Sequence, residues 1–313
     1  MMTRSFRESI SDLRDGQPVV LTIAGFDPSG GAGIIADIKT FLAFGCVPTA
    51  AITSLTFQNR RAVSGVIHQT AGSLRSQLVP IIEAFNVAAL KTGMLPTREI
   101  VLEVARLIRE KQLPAPVVDP VMRSSSGYEL MNNDAVEALL SELLPLVRVI
   151  TPNIPEAEAL TGLAITNESE MREAARKLRE MGARAALIKG GHLKQGTGVR
   201  GQGREKEKSG FRDQRSRRGT SPTRGPQMGS PAGVGAVREG SRKAIDILDD
   251  EDRLTIFRGN WIDAPPVRGT GCILSSAISA CLSKGMSLEE AVGKAKSFVA
   301  EVIGSANTKL ETE

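Results

Sequence analysis

The chain has few of the residues that build disulfide frameworks, zinc sites or membrane spans. Its 313 residues include two histidines and three cysteines, at positions 46, 272 and 281. Cysteines with such wide spacing form neither a disulfide framework nor a metal-ligand pattern, so we expect a reduced, cytoplasmic protein. No run of about 18 apolar residues occurs, and residues 1–17 lack the apolar segment of a signal peptide. The sequence therefore predicts neither export nor a membrane-spanning segment.

Positive charge is concentrated in one segment. The net charge is +5, but residues 195–243 hold twelve Lys and Arg against four Asp and Glu, so this segment carries +8 and the rest −3. Eleven glycines and a single aromatic residue accompany the charges. So little apolar surface cannot offset the entropy of ordering, and we expect a disordered insertion. It could bind nucleic acid weakly or have no role; because no folded motif surrounds the arginines, we expect no specific nucleic-acid partner.

Short apolar runs alternate with helical patterns in the remaining sequence. Residues 18–24 and 185–189 are typical of strands buried on both faces of a parallel sheet. Further strands are predicted at residues 48–56, 87–90, 116–118, 147–150, 244–248 and 254–258, the last two antiparallel. Helices are predicted near residues 34–44, 71–85, 100–108, 134–144, 169–181 and 272–284, with another opening after 151–156. This alternation predicts one α/β domain, residues 18–194 and 244–307, whose mostly parallel sheet lies between helices. Residues 1–17 would be a polar extension and 308–313 a tail.

Glycines and polar residues follow several of these strands directly. They are residues 25–33, Gln58, Met94, residues 119–121, Asn153, Glu156 and Lys189. In open α/β sheets, ligands bind at the carboxyl ends of the strands. We therefore expect these residues to share one site.

A second glycine-rich segment, Arg-Gly-Thr-Gly-Cys at residues 268–272, opens a predicted helix. The first N–H groups of a helix have no intrahelical acceptor, and the positive end of the helix dipole lies behind them. This combination is typical of an anion site. Cys272 lies in the first turn, where a thiol is expected to ionise more easily than in free solution. The alternative is a glycine-bracketed helix start with a small buried cysteine.

Each of the other candidates also has a structural alternative. The glycine loop at residues 25–33 matches neither a P-loop nor the dinucleotide fingerprint, so it is either another kind of ligand loop or a tight connection. Asp37 could belong to the site or be a solvated first-turn carboxylate. The amide of Gln58 offers a donor and an acceptor to a heterocycle edge, or caps a loop.

The oxygen-bearing side chains near the later strands suit phosphate chemistry. Asp119, Asn153 and Glu156 could hold Mg²⁺ beside phosphates. Alternatively, Asn153 and Glu156 have the spacing of a helix N-cap with its N3 acid. Lys189 could approach a nucleotide phosphate or be a surface lysine.

Seven motifs, taken in order, closely resemble those of the hydroxymethylpyrimidine/phosphomethylpyrimidine kinases of thiamine biosynthesis. They are AGFDPSGGAG at residues 24–33 with Ala36 and Asp37, Gln58 with Asn59, KTGML at 91–95, VDPVM at 118–122, TPNIPEA at 151–157, KGGH at 189–192 and GTGC at 269–272. The resemblance covers roughly residues 18–193 and 244–306. It departs from the family at Arg268, where many members have histidine, and at Ile273, where threonine is common.

The resemblance implies a ribokinase-like three-layer α/β/α sandwich with a central, mostly parallel sheet. It also implies ATP and Mg²⁺ as cofactors, a homodimer, and phosphorylation of 4-amino-5-hydroxymethyl-2-methylpyrimidine and then of its monophosphate. The implied pyrimidine pocket comprises Gly25, Ala32, Asp37, Gln58, Met94 and Val121. On the phosphate side, the resemblance implies that Asp119 and Glu156 bind the metal. It implies that Asn153, Glu156 and Lys189 bind the nucleotide. The transferred phosphoryl group would be held by Gly269, Thr270, Gly271 and Cys272. Cys272 would take or relay the proton.

Two other functions remain open at this point. Pyridoxal kinases of the same fold carry nearly the same motifs, so pyridoxal is an alternative substrate. A non-catalytic pyrimidine-binding sensor is a second alternative, although the complete set of phosphate-side groups argues against it.

Overall fold

The computed structural model describes residues 16–59, 62–124, 126–191, 243–251, 253–262 and 267–310. Within these ranges the strands form one sheet in the order β3-β2-β1-β4-β5-β6-β7-β8-β9. The strands are β1 Val19–Phe26, β2 Val47–Gln58, β3 Val63–His68, β4 Val87–Thr92, β5 Val117–Val118, β6 Val149–Ile150, β7 Ala185–Lys189, β8 Lys243–Asp250 and β9 Arg253–Asn260. The α-helices are α1 Gly33–Ala43, α2 Ala71–Ala84, α3 Arg98–Glu110, α4 Asn133–Ala138, α5 Ile154–Thr161, α6 Glu168–Glu180, α7 Thr270–Leu282 and α8 Leu288–Leu310.

The centre of the sheet is parallel and its edges are antiparallel. Strands β2, β1, β4, β5, β6 and β7 pair in parallel, whereas β3, β8 and β9 pair antiparallel with their neighbours. The strand order reverses between β1 and β4, because β2 lies on one side of β1 and β4 on the other. The carboxyl ends of strands on either side of such a reversal leave a crevice that binds ligands.

Helices cover both faces of the sheet, as the alternation of buried side chains shows. Val117 and Leu187 pack in one apolar cluster with α7 and α8, whereas their neighbours Val118 and Ile188 pack in another with α2 to α6. Successive side chains of a strand point to opposite faces, so each run of apolar residues feeds two cores. The predicted sandwich with a mostly parallel central sheet is therefore confirmed.

Several boundaries differ from the predictions. Strand β3 was not predicted, because its short sequence contains Gly65 and only partly buried side chains and acquires strand structure by pairing with β2. The helix predicted at residues 134–144 is regular only to Ala138, then becomes a π-helical turn and, at Pro145, a 3₁₀ turn.

The predicted terminal and inserted segments are only partly described. Residues 1–15, 192–242 and 311–313 lie outside the described residues, so most of the predicted extension and insertion does too. Lys243, predicted as the end of the insertion, begins β8 instead, and α8 extends three residues into the predicted tail. None of the described helices is both long and apolar enough to cross a membrane.

Two leucines on helices that follow one another in the sequence allow a matched test of core packing. Leu78 of α2 is fully buried, whereas Leu42 of α1 is 58% exposed. We expect Leu78→Ala to lower the free energy of unfolding by about 2–5 kcal/mol, because it leaves a cavity between α2 and the sheet. Leu42→Ala should change it by less than about 0.5 kcal/mol. Urea denaturation of both variants checks this, and equal midpoints would contradict the burial described here.

Candidate functional site

A cavity of about 1680 Å³ opens at the carboxyl ends of the parallel strands. Its wall is formed by the loops that follow β1, β4, β5 and β6, the end of β7, and the start of α7. Sites for single small molecules are commonly about 300–1,000 Å³, so this space is sufficient for two ligands side by side. The polar residues predicted after separate strands thus meet at one rim.

Five of the six predicted pyrimidine-binding residues line this cavity, namely Gly25, Ala32, Gln58, Met94 and Val121. A Cβ on Gly25 would lie 2.9 Å from the sulfur of Met94, so the methionine packs directly on the bare backbone. Gly33 has φ +55°, and a Cβ there would lie 2.2 Å from the carbonyl oxygen of Gly25. These contacts close residues 25–33 into a tight turn, and only glycine fits there.

The sixth residue, Asp37, lies beneath the cavity and does not line it. Its Oδ2 accepts hydrogen bonds from Thr22 Oγ1 at 2.6 Å and from Lys91 Nζ at 2.8 Å, and its Oδ1 accepts one from Ser276 Oγ at 2.7 Å. The side chain has no exposed surface. Direct contact with a ligand, as the resemblance implied, is therefore at odds with this geometry. The carboxylate instead connects α1 to β1, β4 and α7.

Lys91, to which the sequence analysis assigned no role, is as buried as its partner. Burial alone would lower its pKa, but the charge of Asp37, helped by Cys272 and Asp119 nearby, raises the pKa to about 12. The ammonium therefore stays protonated below α7. A buried pair of this kind strongly destabilises a protein when only one partner is removed.

The start of α7 has the geometry that was predicted for an anion site. Gly269 has φ +74°, and its helix start has no side-chain cap. The first N–H groups, from Thr270 to Cys272, thus have no acceptor within the helix. A Cβ on Gly269 would lie 2.1 Å from the carbonyl oxygen of Gly31, so the two glycine loops pack backbone to backbone. A negatively charged group in the cavity would meet bare amides and the positive end of the helix dipole.

Lys189 and Asp119 lie against this helix start. Their side chains form an ion pair, with Nζ 2.9 Å from Oδ1. A Cβ on Gly271 would lie 3.1 Å from Lys189 Nζ and 3.5 Å from Asp119 Oδ2. A glycine at this position therefore leaves room for the pair beside the amides. The structure thus brings the predicted metal and nucleotide groups to the predicted anion site.

Asn153 and Glu156 do form the capping box that was their alternative interpretation. Asn153 Oδ1 accepts from the Glu156 N–H, and Glu156 Oε2 accepts from the Asn153 N–H, both at 2.9 Å. Both residues nevertheless line the cavity. Burial, with the nearby charge of Asp119, raises the pKa of Glu156 to about 7, while Lys189 opposes the shift. Asn153 and Glu156 therefore cap α5 and line the cavity at the same time.

The donor set fits a magnesium ion that is held mainly by phosphates. Within the described ranges, no three His, Cys, Asp or Glu side chains cluster closely enough to hold a metal by themselves. Mg²⁺ usually takes one or two carboxylates and completes its shell with phosphate and water. Asp119 and Glu156 both line the cavity, and the charge of Asp119 is near enough to help raise the pKa of Glu156, so they supply such a pair.

Cys272 corrects one expectation from the sequence. The helix start was expected to ease ionisation of the thiol, but the pKa is raised to about 12. Burial is the main cause; Asp119 and Asp37 add to it, and Lys91 only partly opposes it. Desolvation by the surrounding loops therefore outweighs the helix dipole, and the group is a neutral thiol at physiological pH.

Two residues at the rim have contacts that spacing could not reveal. Asp27 is 1% exposed; its Oδ1 accepts from the N–H and hydroxyl of Ser29, while its Oδ2 has no hydrogen-bond partner among the described residues. Arg268 donates to Gln58 Oε1 at 3.0 Å and to the backbone carbonyl of Asn59. The position of Asp27 directly after β1 was a usable signal for it.

The far wall of the cavity was also missed, because β8, β9 and α8 form it. Asp246 accepts a hydrogen bond from Gly190 N–H at 2.9 Å and pairs with Lys296 of α8. Phe257 and Ile303 add apolar surface there. Without a prediction of α8, this wall could not be inferred.

Known proteins of one family are similar to this chain over most of its length. The family model described as phosphomethylpyrimidine kinase matches residues 27–225 and 233–312. The hydroxymethylpyrimidine/phosphomethylpyrimidine kinase of Aquifex aeolicus (strain VF5) is 36% identical over 285 residues, which cover 91% of this chain and 94% of that protein.

Two solved structures are also similar to this chain. One is the phosphomethylpyrimidine kinase of Clostridium difficile 630, with a TM-score of 0.69, 33% identity, and coverage of 92% of this chain and 100% of that chain. The other is the ADP complex of Bacillus subtilis pyridoxal kinase, with a TM-score of 0.70, 32% identity, and coverage of 90% of each chain. Their ribokinase-like fold is the one predicted here. Since the family model and these relatives match nearly the whole chain, the chain belongs to the phosphomethylpyrimidine kinase family and is a phosphotransferase.

Proposed function

We propose that this kinase transfers the γ-phosphoryl group of ATP to 4-amino-5-hydroxymethyl-2-methylpyrimidine and then to the resulting monophosphate, in thiamine biosynthesis. One observation carries the proposal: Gln58 and Met94, the candidate heterocycle-binding residues, line the same cavity as the bare helix start at Gly269. An alcohol bound beside Gln58 and Met94 would therefore share this cavity with a phosphoryl group held at the helix start. A sensor that only bound pyrimidines would need no such site.

Each group in the cavity has a different role in the proposed phosphoryl transfer. This chemistry needs in-line positioning and charge neutralisation more than a strong base. The amides of Thr270, Gly271 and Cys272 hold the charge that develops on the transferred group. Lys189 approaches the nucleotide phosphates, and Asp119 and Glu156 would hold Mg²⁺, which would supply charge neutralisation for the phosphates. Asp37 acts from below by fixing α7 through Ser276.

Pyridoxal is the second candidate substrate, because a pyridoxal kinase is about as similar to this chain as the pyrimidine kinases are. Both compounds are heterocyclic alcohols of similar size. Gln58 can hydrogen-bond to either ring.

A competition assay tests the proposal directly. Purified protein is incubated with ATP, Mg²⁺ and equal amounts of the pyrimidine alcohol and pyridoxal, and the products are followed by phosphorus NMR. We expect pyrimidine monophosphate first and diphosphate second, with little pyridoxal phosphate. The control for contaminating host kinases is Gly269→Ala, prepared identically, because its Cβ would collide with Gly31. Faster phosphorylation of pyridoxal would show instead that pyridoxal is the preferred substrate.

A neutral group at position 272 suits a kinase with two different acceptors. In the second reaction the nucleophile is a phosphate monoester that already carries negative charge. A carboxylate about 4 Å away would repel that nucleophile by about 4 kcal/mol at an effective dielectric constant of 20. The thiol of Cys272, whose pKa is about 12, adds no such repulsion.

Replacing the thiol by a charged group should separate the two reactions. We expect Cys272→Asp to retain part of the alcohol phosphorylation and to lose phosphorylation of the monophosphate by about 100-fold or more, in line with the repulsion estimated above. Cys272→Ser, which is neutral, should lower both rates by a similar factor. Separate kcat/KM measurements for the two acceptors decide the matter, and equal losses in Cys272→Asp would refute the charge argument.

The raised pKa can be measured through the pH dependence of alkylation. A pKa above its ordinary value means that the thiol is protonated at all pH values well below about 12. We expect the logarithm of the iodoacetamide rate at Cys272, followed by mass spectrometry, to rise linearly with pH up to pH 10, because the thiolate is the reactive form. A plateau that begins between about pH 9 and pH 10 would show that the thiol ionises with its ordinary pKa. The shape of the profile, unlike the absolute rate, does not depend on access.

The homodimer implied by the resemblance and the cytoplasmic location expected from the cysteine spacing stay predictions. The β2–β3 edge of the sheet exposes Leu55, Phe57 and Ile67. We propose this apolar edge as the surface that a second copy covers.

A further inference from the structure

Arg268 connects the start of α7 with Gln58, the residue that was predicted to form hydrogen bonds with the edge of the heterocycle. One Nη of its guanidinium donates to Gln58 Oε1 at 3.0 Å, and the other donates to the backbone carbonyl of Asn59. Gln58 and Arg268 lie 210 positions apart in the sequence, and both line the cavity. Arg268 also immediately precedes Gly269, the left-handed residue that begins the anion loop.

The chemistry of the two side chains fixes the orientation of the Gln58 amide. A guanidinium group has five N–H donors and no acceptor, so the group that it contacts must be an oxygen. The carboxamide must therefore turn its carbonyl toward Arg268, and a flipped amide would place two donors against one another. Gln58 Nε2 donates to none of the described residues. With respect to the part of the chain that the structure describes, its two N–H groups are available to a ligand in the cavity that Gln58 lines.

The backbone around Gln58 supports the same orientation. The β2–β3 pairing steps from Phe57–Gly65 to Gln58–Val63, so the residue without a pairing partner is Ser64 of β3, and β2 itself continues without an extra residue. Successive side chains of a strand point to opposite faces of the sheet. Here the neighbouring Phe57 side chain is exposed, whereas Gln58 lines the cavity, where Arg268 lies on one side of it.

We propose that Arg268 is a positioning residue that commits Gln58 to act as a hydrogen-bond donor, so that the site selects heterocycles whose facing edge carries an acceptor. This inference rests on the proposed function. The acceptor is an unprotonated ring nitrogen or a ring-borne oxygen. A ring that presents an N–H at that edge meets two donors and is rejected, because its own donor is left buried without a partner.

A substitution of Gln58 tests the donor role itself. Gln58→Glu keeps the contact with Arg268 as a charge-assisted hydrogen bond, but at pH 8 its oxygens can only accept. We expect the dissociation constant for 4-amino-5-hydroxymethyl-2-methylpyrimidine, measured by calorimetry without nucleotide, to rise about ten-fold or more. Unchanged affinity would mean that the ligand donates to position 58, and it would overturn the proposal.

A double-mutant cycle tests the role of Arg268. We expect Arg268→Ala to weaken pyrimidine binding about ten-fold in the natural background, but less than about two-fold in a Gln58→Met background, where there is no amide to orient. Arg268→Lys keeps the positive charge and one donor nitrogen, so it should recover most of the affinity. Equal losses in both backgrounds would mean that Arg268 acts by another route, and the proposal would fail.

Kinetics separate this inference from the proposed function. Arg268→Ala should raise KM for the pyrimidine more than KM for ATP, because its contact is on the heterocycle side. If the natural protein phosphorylates the pyrimidine and the cycle is additive, only the role of Arg268 is refuted. If the natural protein neither binds nor phosphorylates any of these alcohols, the proposed function fails and the inference fails with it.

Discussion

The close backbone contact between the two glycine loops is the constraint on which the site depends. Gly31 follows β1 and Gly269 begins α7, yet any side chain on Gly269 would overlap the Gly31 carbonyl. Two helix-opening turns from opposite ends of the chain therefore lie against one another at the reversal of strand order. One turn shapes the heterocycle recess and the other supplies unpaired amides. Because they touch, the distance between acceptor and phosphoryl group is set by rigid backbone rather than by side chains.

A buried polar network fixes the positions of these two turns relative to each other. Asp37 receives hydrogen bonds from β1, from Lys91 of β4 and from Ser276 of α7, and none of these side chains contacts solvent. A network of this kind is strong only when every member is satisfied, so it specifies one arrangement of α1, α7 and the sheet. The removal of either charge would leave the other buried without a partner. The anion site thus takes its geometry from a layer of residues that no ligand touches.

Most of the sheet and much of the site could be predicted, because both follow from local patterns. Buried strands such as β7 are continuous apolar runs, and ligand residues follow strands in the sequence. The burial of Asp37 had a signal too: it shares the apolar stripe of α1 with Ile34 and Phe41 at helical spacing. What spacing cannot show is a contact between distant segments. The partners of Arg268, and the desolvation that keeps Cys272 neutral, arise only when the loops after β1, β2 and β4 meet the start of α7.

The charges around the helix start explain why amides carry the selectivity for phosphate. Lys91 is paired with Asp37, and Lys189 is paired with Asp119. The positive charge of each lysine is therefore balanced by the carboxylate beside it. The thiol between them is neutral. Without ligands, the positive potential at the helix start therefore comes from the aligned dipoles of α7, its first N–H groups and the guanidinium of Arg268, whose contacts given above are with carbonyl oxygens. Such a field stabilises a transferred phosphoryl group without depending on whether the acceptor is neutral or anionic. A site balanced in this way fits two successive acceptors better than one built around a single uncompensated charge.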